Sequence, residues 1–169
     1  IDRSADVKRA VKQILDSKTF DNGTICASEQ SIIVERSMEE KVVEELKAQG
    51  AFVLTQEQSR QLGRFILRAN GTMNPMIVGK TCAQIAEYAG LCGVPSSARV
   101  LVGRETKVGA DAPYSREKLA PILGLFVEEN TDRVLERSIE ILHMEGAGHT
   151  FSMHAEDEAL VRKFALQIP

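Results

Sequence analysis

The feature that most constrains this fold is an alternation. Short apolar runs of about five residues recur between segments with helical periodicity, and most of those segments open on a hydroxyl side chain. Residues 5–16 carry Val7, Ala10, Val11, Ile14 and Leu15 at helical spacing, with Ser4 as the expected N-cap. Residues 31–35 (SIIVE) read as a buried strand. Ser37 with Glu40 forms a capping box for a helix with Val42, Val43 and Leu46 on its apolar face, closed by Gly50. Residues 51–54 read as a short strand. Thr55 with Gln58 opens a helix through Leu62, Phe65, Ile66 and Ala69, stopped by Asn70-Gly71. Residues 76–78 read as another short strand, and Thr81 with Gln84 opens a helix through Ile85, Ala86 and Ala89 to Gly90. Strands are predicted at 99–102 and 122–127. Thr131 caps a helix with Val134, Leu135, Ile139 and Leu142 that ends near Gly146, and residues 150–154 are the expected last strand.

Strands that alternate with helices of about ten residues pair in parallel, with the helices packed over the sheet. Near-continuous apolar strands agree with a sheet covered on both faces. The expected class is therefore α/β, a three-layer, mostly parallel sheet flanked by helices. The length of 169 residues suits one ordinary domain with a real core. Residues 103–121 are the one long stretch poor in apolar periodicity, and a loop of that length is usually functional or part of an interface.

Composition removes several function classes. With 43% hydrophobic and 27% charged residues, the chain is neither disordered nor collagen-like. A net charge of −3 supplies no field for nucleic acid, and the absence of Trp with only 2 Tyr leaves little for base stacking. No apolar run approaches the roughly 20 residues of a membrane helix. The 3 cysteines, Cys26, Cys82 and Cys92, form no CxxC pair, so neither a disulfide framework nor a zinc site is expected. Free thiols suit a reducing, cytoplasmic setting. The chain opens inside a helical pattern and stops abruptly, so it reads as a piece of a longer polypeptide.

Cys26 follows a strong turn signal, Asn22-Gly23, and precedes the SIIVE strand. Ala27 and Ser28 after it leave room for a substrate carbon, and turn geometry can aim backbone N–H groups at one point. Most free cysteines are instead small packed hydrophobes, so both readings stand on the residues alone. Cys82 lies in the first turn of a helix, where the dipole would lower its pKa, but its neighbours suggest ordinary packing. Cys92 carries no signal. Of the three histidines, His143 lies in the last turn of a helix, His149 follows Gly146-Ala147-Gly148 at the start of the last expected strand, and His154 lies five residues on. No pair has metal-ligand spacing. A Cys26–His149 pair is one arrangement for nucleophilic catalysis. Glu117, in the long loop, is either a solvated charge or an acceptor for ribose hydroxyls. The chain has no GxGxxG and no P-loop.

The segment SKTFDNGTICASEQSIIVE (residues 17–35) resembles the nucleophile region of CoA-acylating aldehyde dehydrogenases. These include acetaldehyde dehydrogenases, propionaldehyde dehydrogenases of microcompartments and the aldehyde half of bifunctional aldehyde–alcohol dehydrogenases. The likeness continues through IAEYAGLCGVPSSARVLVG (85–103), YSREKLAPIL (114–123) and GAGHT (146–150), and so covers nearly the whole chain. The resemblance implies the catalytic domain of that fold over residues 1–169. Residues 1–18 would be a lead-in helix from a dinucleotide-binding domain that this chain lacks. It implies Cys26 as the nucleophile, Ile25, Ala27 and His149 as substrate-lining residues, and Glu117 as the residue that holds the nicotinamide ribose. Ala120 stands where hydrolytic relatives usually have Gly, which fits the acylating branch.

The implied reaction is NAD- or NADP-dependent oxidation of a short-chain aldehyde to acyl-CoA, through a thiohemiacetal and an acyl thioester on the cysteine. The implied partners are the aldehyde and CoA, with a homo-oligomer, dimer or tetramer, in the parent enzyme. Its location would be the cytoplasm or a bacterial microcompartment. No cofactor is expected on the isolated chain, nor hydride transfer by it. Three other readings remain open on the residues: a hydrolytic aldehyde dehydrogenase, a non-catalytic oligomerisation module, and a thiol redox sensor with a second cysteine near Cys26.

Overall fold

Four parallel strands form one sheet in the computed structural model, which describes residues 1–169. They are β1 (Ser31–Glu35), β2 (Ala51–Val53), β3 (Val100–Arg104) and β4 (Ile122–Glu128), in spatial order β1-β4-β3-β2. Six helices accompany them: α1 (Val7–Thr19), α2 (Glu39–Ala48), α3 (Gln56–Ile66), α4 (Cys82–Ala89), α5 (Thr131–Ile141) and α6 (Glu158–Ala165). None is long and apolar enough to cross a membrane.

Because successive strand residues face opposite sides, β2, β3 and β4 feed two cores, while β1 gives Ile32 and Val34 to the first and Ile33 to a cavity wall. Val100, Val102, Leu123 and Leu125 pack with Val7, Val11, Ile14 and Leu15 of α1 and Val42 and Leu46 of α2. Leu101 and Ile122 pack on the other face with Leu62 and Ile66 of α3 and Ile85 of α4. Helix α5 covers β1 and β4 on that second side, with the Arg137 guanidinium 5.7 Å from the Phe126 ring centroid. The three-layer arrangement inferred from alternation is the one observed. Four residues of helix α1, Val7, Val11, Ile14 and Leu15, belong to the first core.

The capping boxes at Thr55–Gln58 and Thr81–Gln84 are both formed. Elsewhere the helix starts shift. The N-cap of α1 is Asp6, which accepts the Arg9 N–H at 3.0 Å, while Ser4 accepts the N–H groups of Glu156 and Asp157 at 2.9 and 3.1 Å. Ser37 donates to Glu35 within a 3-10 turn, Arg36–Met38, and α2 begins after it. Asn130 caps α5, and Thr131 donates instead to the Glu35 carboxylate. Helix α3 stops at Ile66, because Leu67 turns extended and bridges Met73.

Two expected strands are absent. Residues 76–78 fall in a 3-10 turn, Pro75–Ile77, where Pro75 removes a ladder donor and the Asn74 side chain caps the Met76 N–H at 3.1 Å. Residues 150–154 find no neighbouring strand, and Asp2 N–H to His154 O at 2.9 Å is their one long-range backbone bond. Helix α6, unforeseen, starts at Asp157, whose carboxylate accepts the Ala159 and Leu160 N–H groups.

The long loop between β3 and β4 is seated by a glycine pair. Gly103 and Gly124 lie side by side in adjacent strands. A Cβ on Gly103 would fall 2.2 Å from the Tyr114 ring, and one on Gly124 would fall 2.5 Å from Tyr114 O. The bare patch lets Tyr114 lie on the sheet, where its hydroxyl donates to Ser59 O at 2.8 Å. That contact anchors the 3-10 turn Pro113–Ser115 and fixes where the loop re-enters β4.

Candidate functional site

Cys26 lies just before β1 and Glu117 just before β4, and these strands are hydrogen-bonded neighbours. Parallel pairing therefore places both residues at the same edge of the sheet. This is the amino end of the strands, opposite to the usual ligand crevice of doubly wound sheets.

The turn that carries Cys26 is built from three left-handed residues in a row, Asp21, Asn22 and Gly23, at φ 47°, 51° and 74°. Asp and Asn tolerate this region better than most residues. One distant and one local bond hold them: Asn22 Nδ2 donates to Gly79 O at 3.1 Å, and Thr24 Oγ1 donates to Asp21 Oδ2 at 2.7 Å. Gly23 is buried, and a Cβ there would lie 2.6 Å from Ala120 O and 3.0 Å from Lys18 O. The Cys26 turn and the Glu117 loop thus interlock through backbone contact at Ala120. Beyond the turn, the Ser28 N–H donates to Ile25 O at 3.0 Å and closes a bend around Cys26.

Cys26, Ala27, Glu117 and His149 line one cavity of about 480 Å³. Ile33, Val134, Ile141 and Phe151 supply part of its apolar wall. Ile25 is not among its lining residues and is 42% exposed. Buried polar atoms without partners, Glu29 Oε2, Gln30 Nε2, Ser31 Oγ and His154 Nε2, belong to residues of the same lining. Burial holds the His154 imidazole below its ordinary range.

Glu145 joins the two loops that carry Glu117 and His149. Its carboxylate accepts the Glu117 N–H at 2.9 Å and pairs with Arg116 Nε. It sits in the single π-turn Leu142–Gly146 at the end of α5, and His149 N–H donates back to Gly146 O at 2.9 Å.

All three cysteines are free thiols. Cys26 and Cys92 are exposed, whereas Cys82 is buried. The helix dipole does not govern Cys82: burial pushes its thiol up to about 12. Neither Cys82 nor Cys92 lines the Cys26 cavity.

Sequence reasoning missed Lys18, Lys118, Gln30 and Glu145. Lys18 had a readable signal. It falls on the apolar stripe of α1, four residues after Ile14, where a solvated lysine has no place. The others carry no such mark, because their partners lie in distant segments.

Residues 1–116 match the profile of the aldehyde dehydrogenase family. The chain belongs to that family. A probable aldehyde dehydrogenase from Listeria monocytogenes EGD-e is 58% identical and superimposes with a TM-score of 0.97 over 99% of this chain and 37% of that one. An acetylating aldehyde dehydrogenase from Geobacillus thermoglucosidasius is 44% identical, with a TM-score of 0.95 over 99% of this chain and 36% of that one. An aldehyde-alcohol dehydrogenase from Clostridium acetobutylicum is 39% identical over 157 residues, 93% of this chain. The chain spans only 18% of that relative's length. Glu117 and His149 lie outside the family match and inside the span superimposed on the solved structures.

Proposed function

We propose that this chain carries the nucleophile half of a CoA-acylating aldehyde dehydrogenase, with Cys26 as the nucleophile. The observation that bears most of this reading is the placement of Cys26. It is an exposed thiol in a tightly built turn, at the wall of a cavity shared with Glu117 and His149. Similarity to an acetylating relative supports the acyl-transfer branch.

In the proposed reaction the Cys26 thiolate adds to the aldehyde carbonyl and forms a thiohemiacetal. Its backbone N–H is one donor to the developing oxyanion. A nicotinamide, when bound, would supply the hydride acceptor; the acyl group would then stay on Cys26 as a thioester. The CoA thiol then adds to that thioester carbonyl, Cys26 leaves as thiolate, and acyl-CoA departs. Residues at the site fit a ribose: the Glu117 carboxylate accepts no hydrogen bond within the chain, while its backbone is fixed by Glu145. Glu117 would hold ribose hydroxyls, and His149 would line the acyl pocket. Its place of action is read as the cytoplasm, in a homo-oligomer, and the three free thiols suit that compartment.

Acyl exchange from CoA onto Cys26 needs no nicotinamide, so it is the half-reaction to test. The chain is incubated with acetyl-CoA or propionyl-CoA and mapped by peptide mass spectrometry. Selective acylation of Cys26 over Cys82 and Cys92 is expected. Equal labelling of Cys26 and the exposed Cys92, or none at Cys26, would count against the acylating assignment.

A further inference from the structure

Two lysines are completely buried, and the proposed reaction uses neither. Lys118 is spent on its own loop, where its Nζ donates to Tyr114 O at 2.8 Å and to Arg116 O at 2.5 Å. Lys18 reaches further. Its Nζ donates to Lys118 O at 3.1 Å, to Gln30 Oε1 at 3.3 Å and, at 3.4 Å, to Ser28 Oγ. Gln30 Oε1 also accepts the Lys118 N–H at 2.9 Å. One amine therefore meets three segments: the last turn of α1, residues 28–30 directly after Cys26, and the loop that carries Glu117.

We propose that Lys18 is a positioning residue for Cys26, fixing the backbone just after the nucleophile against the Glu117 loop from beneath. This rests on the reading of Cys26 as nucleophile. The geometry explains why a lysine is used. Cys26 and Ala27 are exposed, the Cys26 thiol makes no hydrogen bond, and the bend is closed on its outer side only by Ser28 N–H to Ile25 O. Rigidity must come from the buried side. An ammonium offers three donors from one atom at the end of a long stem, which suits three acceptors spread over two separate segments. A buried amine is a poor source of stability, because desolvation offsets what its bonds return. Burial lowers the Lys18 pKa to about 8, while the carboxylates of Glu29 and Glu117 act to raise it. Its occupation of an apolar stripe position is accounted for by what it holds in place.

The test uses Lys18→Met, which keeps an unbranched side chain of similar volume and removes every side-chain donor. Cys92, exposed and remote from the cavity lining, is an internal reference. The rates of iodoacetamide alkylation at Cys26 and Cys92 are measured together by peptide mass spectrometry on the folded chain. Wild-type Cys26 is expected to react faster than Cys92. In Lys18→Met the Cys26 rate should fall about tenfold with the Cys92 rate unchanged, and acyl exchange from acetyl-CoA should lose kcat with KM unchanged. Gln30→Met, which removes the acceptor shared by Lys18 and the Lys118 N–H, should lower the same rate ratio severalfold and serves if Lys18→Met does not fold. A rate ratio equal to wild type in a folded variant overturns the proposal. Failure of the wild type to take up acyl groups while the ratio still falls would instead sink the acylating reading and leave the positioning role standing.

Discussion

Gly23→Ala measures the interlock between the Cys26 turn and the Glu117 loop, and Gly71→Ala is its matched control. Both glycines are left-handed, at φ +74° and +77°. Backbone strain for an L-residue there is about 1–2 kcal/mol, partly offset by about 0.4–1 kcal/mol of lost unfolded-state entropy. Each substitution therefore starts near a cost of about 1 kcal/mol. The two then diverge. A Cβ at Gly71 meets nothing within 4 Å, whereas one at Gly23 lies 2.6 and 2.7 Å from Ala120 O and C and 3.0 Å from Lys18 O. All three are backbone atoms and cannot swing aside, so overpacking adds about 1–3 kcal/mol. Gly23→Ala should cost about 2–4 kcal/mol in total. With a urea slope of about 2 kcal/mol per molar, its midpoint falls by about 1–2 M, against about 0.5 M for Gly71→Ala. Relief of the clash requires the turn to move off Ala120, so Gly23→Ala should also slow Cys26 alkylation, and Gly71→Ala should not. Equal midpoint shifts for the two variants would refute the argument from contact.

Other outcomes follow from the same geometry. Cys26→Ala should abolish acyl uptake from acetyl-CoA, while Cys92→Ser and Cys82→Ala retain it, as read by intact mass. The Lys18 amine has a folded pKa of about 8 against an ordinary 10.5, so above pH 8 the folded state releases its proton while the unfolded chain keeps it. Stability should therefore rise between pH 8 and 9, by up to about 1 kcal/mol from this group, and Lys18→Met should flatten that rise in urea titrations. The window ends near pH 9, above which Cys82, raised to about 12 in the folded state, acts in the opposite sense. Thr55→Ala and Thr81→Ala should each cost about 1 kcal/mol through loss of a formed capping box, checked by thermal melts. Glu145→Ala should speed hydrogen exchange at the Glu117 amide about tenfold, since that N–H loses a charged acceptor.

Much of this protein is legible in one dimension. Capping boxes at Thr55 and Thr81 need only residues three apart, so sequence spacing reports them faithfully. All four strands of the sheet carry apolar runs that a buried, doubly covered strand requires. The turn before Cys26 announces itself through Asn22-Gly23, because few other residues accept left-handed backbone. Errors arose where a local signal competed with a distant partner. Ser4 and Thr131 are good N-caps in isolation, but their oxygens are taken by Glu156, Asp157 and Glu35. Residues 150–154 have strand composition but no strand beside them, and backbone pairing is a property of two segments.

By itself, then, the sequence determined the α/β class, the family resemblance and the identity of Cys26 as the residue to watch, because these follow from periodicity and local motif. Tertiary structure alone decided that Glu117 and His149 share a cavity with Cys26 while Ile25 stays outside its lining. It also decided that burial overrides the helix dipole at Cys82, and that Lys18 reaches across 100 residues to Lys118. These depend on which strand pairs with which, and the parallel pairing of β1 with β4 joins segments about 90 residues apart that no local motif can bring together.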